Sequence, residues 1–213
     1  VPCVLYVNSY HPGYLWSDNV QAGIRQVMTR AYRENMDLRI EYLDGKRYSS
    51  SINDRLGEAI TAVWKAKYYD VRFDLIMVSD QDAYNFVSRI RDHLFPGVPL
   101  VFSGVEDPGK ISSTTTGVLP AKNYQKNIET ILYVLPNTYK IWIITDPSTT
   151  GRINRREISR FFSYYSRRVE FGFFDDGSGL ETDSLLSMVS RLKAGDVIYF
   201  MDFFYSRSGR YID

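Results

Sequence analysis

The chain has 213 residues, enough for one large domain or two small lobes. Its 26 Lys+Arg against 25 Asp+Glu leave a formal charge of +1, so no overall field directs it to nucleic acid or to a membrane surface. The apolar runs are strand-length rather than membrane-spanning, and Cys3, the one cysteine, excludes a disulfide within the chain.

Strand-like and helix-like patterns alternate from the start. Residues 4–7 (VLYV) are a continuous apolar strand that empties into Asn8-Ser9-Tyr10-His11-Pro12-Gly13-Tyr14-Leu15-Trp16. Pro12-Gly13 accounts for a bend there, but turn geometry does not ask for two Tyr, a His and a Trp. Those rings are read either as wedges against the sheet or, as a cluster, as a binding surface. Ser17 reads as the N-cap of a helix with Val20, Ile24, Val27, Met28 and Ala31 at helical spacing.

Residues 38–43 alternate like a strand with one wet face, and a helix carrying Leu56, Ala59, Ile60, Val63 and Trp64 follows. A third strand, 73–78, empties into Ser79-Asp80-Gln81-Asp82 and a helix with Ala83, Phe86, Val87, Ile90 and Leu94. A fourth, 98–102, ends in Ser103-Gly104-Val105-Glu106. Four such units imply a parallel, doubly wound α/β sheet with helices on both faces, Rossmann-like in outline.

Asp107-Pro108-Gly109 and the Ser/Thr run 112–116 then drop the apolar content, so two lobes are expected, 1–116 and 117–213, divided between Pro108 and Asn123. Residues 117–120 are read as a short strand leading out of that crossing. The second series has a helix with Ile128, Ile131, Leu132 and Leu135, then strands at 141–144, 169–174 and 197–201 with helices between. It has fewer strands than the first, which implies an incomplete second lobe.

Ligands in open α/β sheets bind beyond the carboxyl ends of the strands. Four loops are therefore expected to converge, bringing Ser9 and Tyr10 together with Asp80 and Asp82, Ser103 and Gly104, and Asp146 with Thr149 and Thr150. Helix N-termini at these loops favour an anion. Asp80, Asp82 and Asp146 are read either as helix caps or as carboxylates for a ligand ammonium. Gly104 lets a ligand approach the backbone. The run Arg152, Arg155, Arg156 and Arg160 is read as a solvated helix face, with Arg152 at the helix start as the exception. Two His, His11 and His93, have no metal-site spacing, and no GxSxG elbow or Walker A is present. No catalytic residue, metal or cofactor is expected.

Asn8-Ser9-Tyr10-His11-Pro12-Gly13-Tyr14 with Trp16-Ser17-Asp18 resembles the opening of sensor domains related to ABC-transporter substrate-binding proteins, of the type I periplasmic-binding fold. Residues 41–47, 73–76 with Ser79-Asp80, 94–105, 147–152 and Asp202-Phe203-Phe204 extend the resemblance along nearly the whole chain. It implies two hinged lobes closing over a small molecule. The family's second lobe continues past the point where this chain ends. The expectation is an extracytoplasmic, non-catalytic sensor of a membrane-anchored bacterial receptor, a histidine kinase foremost, with its membrane span outside this chain and a homodimer as one assembly. The ligand is expected to be amino-acid-like or aromatic and to bear a carboxylate, with contacts at Ser9, Tyr10, His11, Trp16, Asp80, Ser103, Gly104, Asp146, Thr150, Arg152 and Asp202. A free solute-binding protein of an ABC transporter is the nearest rival, followed by an α/β enzyme and the effector domain of a cytoplasmic regulator.

Overall fold

The computed structural model describes residues 1–33, 35–48 and 55–212. The chain divides into two compact units, Val1–Pro120 and Ala121–Asp213.

The first unit runs β1 (Cys3–Asn8), α1 (Leu15–Tyr32), β2 (Asp37–Tyr42), the single turn α2 (Gly45–Tyr48), α3 (Arg55–Lys67), β3 (Leu75–Ser79), α4 (Gln81–Leu94), β4 (Leu100–Ser103) and β5 (Thr115–Val118). All pairings are parallel, in the order β2-β1-β3-β4-β5. β1 lies between two neighbours, which is why it is apolar without alternation and buried from Val4 onward. The register sets Leu5 beside Ile76 and Ile76 beside Leu100. With Val7, Val78 and Phe102 they join one core that takes Trp64 from α3 and Phe86 from α4, edge to face at 5.5 Å. Burying each such side chain contributes about 1.5–3 kcal/mol.

Two elements differ from the sequence reading. α1 begins at Leu15 rather than near Ser17, with extended Tyr14 at its N-cap position. Ser17 spends its hydroxyl inside the first turn on the Tyr14 carbonyl (3.0 Å), while Asp18 reaches back to the Gly13 N–H (3.0 Å) and closes the turn. The end of the Ser/Thr run lies in β5, the outer strand beside β4, instead of forming a crossing. Arg91 of α4 donates to the Thr115 hydroxyl (3.1 Å), fixing that strand without an apolar core-facing residue.

The second unit runs α5 (Tyr124–Val134), β6 (Lys140–Ile144), α6 (Thr149–Ser159), the turn α7 (Phe162–Tyr165), β7 (Glu170–Phe173), α8 (Thr182–Val189) and β8 (Asp196–Phe200). Its three parallel strands have the order β7-β6-β8. Ile128, Ile141, Ile143, Ile158 and Val169 form its core, ringed by Phe161, Phe162, Phe171 and Phe173. No helix among the described residues is long and apolar enough to cross a membrane.

Both sheets contain a reversal of winding. From β1 the chain moves outward to β2, then returns past β1 to β3 and continues to β4. From β6 it moves to β7, then returns to β8. Loops that leave neighbouring strands in opposite directions open a crevice at the carboxyl end of the sheet. In the first unit that crevice lies between the loops after β1 and β3. In the second it lies between those after β6 and β8.

Candidate functional site

Tyr10 sits at the first reversal point and is only 5% exposed. Its hydroxyl donates to Asp80 Oδ2. Burial first, then the Asp80 and Asp82 carboxylates, push that phenol well above its usual range, so it stays a donor. Asp80 caps α4, taking the Gln81 N–H on Oδ1 at 2.5 Å, and its own N–H donates to the Ser103 carbonyl at 2.8 Å. Its backbone has φ 69° and ψ 168°, a region that only glycine occupies comfortably. Holding a side chain there costs on the order of 1–3 kcal/mol, and such outliers persist where the surroundings fix them. Here the surroundings are Tyr10, Gln81 and Ser103.

Trp16, on the first turn of α1, stays 41% exposed. Its ring edge lies over Gly104, where a Cβ would come within 3.0 Å of the indole. Gly104 also has φ 69°, so both its conformation and its neighbour require glycine. Tyr10 packs edge-on to Tyr14 at 4.9 Å and to Trp16 at 5.9 Å. Rings that looked equivalent in the sequence thus divide: Tyr10 is packed and hydrogen-bonded, whereas Trp16 presents open surface.

Ser9 is fully buried; its hydroxyl donates to the Ser79 carbonyl (2.7 Å) and accepts from the Ala83 N–H (2.8 Å), tying β1 to the start of α4. His11 Nδ1 lies 3.4 Å from Asp44 Oδ1, with Arg47 beside the other oxygen at 3.5 Å. His11 Nδ1, Asp44 Oδ1 and the Asn8 amide nitrogen are buried without a hydrogen bond. Gln81, which the sequence reading passed over, accepts the Glu106 and Asp107 N–H groups and donates to the Asp107 carbonyl, pinning the loop after β4. Its signal was present: a polar residue directly after a cap, facing inward.

In the second unit Asp146 and Asp202 meet at the reversal point and are almost wholly buried. Asp202 Oδ1 accepts the Asp146 N–H (2.9 Å) and Oδ2 accepts from Asn154 (2.5 Å). Asp146 accepts the N–H groups of Ser148, Phe204 and Tyr205 at 2.9, 2.6 and 3.1 Å. Ser148, not Asp146, caps α6. Both carboxylates therefore shape the loops around them. Asn154 accepts in turn from Lys122 (2.6 Å) and Tyr124 (2.9 Å). It lies three residues after Gly151 and four before Ile158, on the inward face of α6, which is the sequence signal for it. Thr150 is half-buried on that helix, and exposed Arg152 donates to the Pro147 carbonyl. Arg155 is not solvated: it pairs with Asp175 at 2.7 Å and lies 3.7 Å over the Phe173 ring.

Burial, and after it the Asp146 charge, raises Asp202 to about 6 against the opposing bond from the Asp146 N–H. The folded value lies above the unfolded value near 3.9, so between about pH 4 and 6 the folded state binds the extra proton. This contribution is fully present below pH ~4 and is lost as pH rises through 6, at most about 3 kcal/mol in all. Asp202→Asn should flatten the fall in second-unit stability between pH 4 and 7; an identical pH profile in the variant would refute the assignment.

A cavity of about 560 Å³ lies away from both reversal points, in the second unit among Tyr139, Trp142, Phe174, Met188 and Leu192. Among the described residues, no group of three or more His, Cys, Asp or Glu is placed to hold a metal ion.

No protein-family model and no curated protein sequence matches the chain. Solved structures do. An ABC domain from Streptococcus pneumonia in complex with L-Trp superposes with a TM-score of 0.63 at 15% identity, over 98% of this chain and 68% of its own. The ligand-free, open form of a substrate-binding protein with adhesive properties from Clostridium difficile gives 0.63 at 14%, over 94% and 65%. The fructose-binding periplasmic domain of a hybrid two-component system gives 0.60 at 14%, over 95% and 64%. The chain thus spans about two thirds of the length of these proteins. It has the type I periplasmic-binding fold that its opening motif resembles.

Proposed function

We propose that this chain is the extracytoplasmic ligand-sensing region of a bacterial signalling receptor and binds a small molecule without transforming it. The carrying observation is the first reversal point, where the open Trp16 ring lies on Gly104 beside an Asp80 held in a strained conformation. A preformed, strained element at a sheet's carboxyl edge is the expected signature of a binding surface. Trp16, His11, Ser103, Gly104 and Asp80 are the proposed contacts at this edge; Thr150 and Arg152 flank the reversal point of the second unit. Ser9, Tyr10, Asp146 and Asp202 hold the loops in position. Ligand capture would bias an attached output domain by favouring one conformation of the sensor. The two-component neighbour supports the sensor reading. The other two neighbours support a solute-binding protein serving a transporter as the second reading.

The test is a thermal-shift screen against amino acids, sugars, nucleobases and organic acids. A ligand at 100 times its dissociation constant adds about 2.7 kcal/mol of apparent stability. Trp16→Ala should remove most of that increment while leaving the ligand-free melting temperature nearly unchanged. No stabilising compound, or an increment indifferent to Trp16, would remove the reading.

A further inference from the structure

The chemistry around Trp16 narrows the ligand class, on the premise that this edge is the binding surface proposed above. Three rings meet there at steep angles: Tyr10 against Tyr14 at 70° and Tyr10 against Trp16 at 68°. The centroids of Tyr14 and Trp16 lie 4.9 and 5.9 Å from that of Tyr10, so a half-buried ring and an exposed one both pack against the buried Tyr10. Ring faces carry negative quadrupole potential, and rings meeting at an angle let one positive centre touch more than one face.

Beside the rings lies carboxylate. Asp80 is hydrogen-bonded to the Tyr10 hydroxyl, and Asp82 stands half-buried in the first turn of α4. The hydrogen bond from the Tyr10 hydroxyl fixes the Asp80 carboxylate at the ring cluster, and Asp82, two residues further on, adds a second acidic group to the same helix end. The α4 N-terminus opposes them with only about +0.5 of a charge, against two full negative ones. A ligand carboxylate at this position meets net repulsion; an ammonium meets attraction from carboxylates and rings together.

We propose that the exposed Trp16 ring and the half-buried Tyr14, both packed on Tyr10 beside Asp80, receive the positively charged nitrogen of an organic cation, from a primary to a quaternary ammonium. Aromatic boxes with a nearby carboxylate are the physical solution for such groups, because the bulky cation is weakly hydrated and polarises the ring faces. The carboxylate expected from the sequence, if the ligand has one, is held elsewhere.

Matched probes test this with the intact chain. Choline and phenethylamine carry the cation; 3,3-dimethylbutan-1-ol is the neutral isostere of the first, and 3-phenylpropionate is an anionic counterpart of the second. Both cations should raise the melting temperature in a saturable way that weakens with added salt, and neither counterpart should match them. Trp16→Ala should weaken cation binding by ~2- to 30-fold, the worth of a cation–π contact, while Trp16→Phe keeps most of it. Asp82→Asn should weaken the cations and leave the neutral isostere unaffected; Asp80 is left alone because it caps α4. If a neutral or anionic probe binds as well through Trp16, the cation assignment is wrong while the binding surface stands. If the cations give no Trp16-dependent shift, the assignment also fails. The proposed function falls with it only if the metabolite screen finds no Trp16-dependent ligand either.

Discussion

Gly151→Ala is expected to destabilise the second unit severely, although alanine is the better helix former by about 1 kcal/mol. Gly151 lies in the first turn of α6, and a Cβ there would stand 2.1 Å from the Asp146 carbonyl oxygen, 2.6 Å from Asp146 Oδ1 and 2.7 Å from Asp202 Oδ1. The first of these is backbone, so no rotamer change relieves it. Overpacking alone costs about 1–3 kcal/mol. Pushing the loop aside also breaks hydrogen bonds to buried carboxylates, about 1.5–3 kcal/mol each. The sum, on the order of 4 kcal/mol, outweighs the propensity gain several-fold. Trp142 is the only tryptophan of this unit, so its emission in a denaturant titration follows the loss directly. A midpoint equal to or above that of the parent protein would show that the loop yields more easily than its contacts imply.

The second large effect lies at Tyr10. Tyr10→Ala should cost on the order of 3–5 kcal/mol, the range for deleting a packed aromatic side chain. Tyr10→Phe keeps the packing but takes the hydroxyl from Asp80 and leaves a carboxylate oxygen short of a donor, about 1–3 kcal/mol. Trp16→Ala, by contrast, should change ligand-free stability by no more than about 1 kcal/mol, since much of the ring is already in water. Melting the three variants without ligand separates packing from binding. A Tyr10→Ala protein that melts like the parent would return Tyr10 to the list of ligand contacts and overturn its role as a wedge.

The sheets were legible in the sequence because each strand carries its own evidence. Residues 4–7 are apolar throughout, as a central parallel strand must be, and the helices between strands show one apolar stripe each. β5 was less legible: Thr115–Val118 has no alternation, and what holds it is β4 on one side and Arg91 reaching from α4. The site was legible at the level of loops. Asp80, Gly104, Trp16 and Tyr10 were all singled out, but their roles depend on burial, which a loop's sequence does not encode. Tyr10 and Trp16 are equally aromatic; only the fold makes one a wedge and leaves the other open. Asp146 and Asp202 lie 56 positions apart, and their meeting follows from β6 and β8 being neighbours. Gln81 and Asn154 are polar residues on buried helix faces, legible from a place beside a cap or in step with inward-facing positions rather than from the apolar stripe itself.

The central place of β1 has a consequence for biosynthesis. Its two neighbours are β2 and β3, and the second of them is complete only at Ser79, 71 positions after β1 ends at Asn8. At a ribosomal rate of about 5–20 residues per second, roughly 4–14 s pass in which Val4-Leu5-Tyr6-Val7 has been made and cannot be sheltered on both edges. Over that interval the nascent chain offers a sticky, fully apolar segment with an edge still unpaired. A holdase or a translocation channel that occupied the segment until Ser79 had emerged would cover that window.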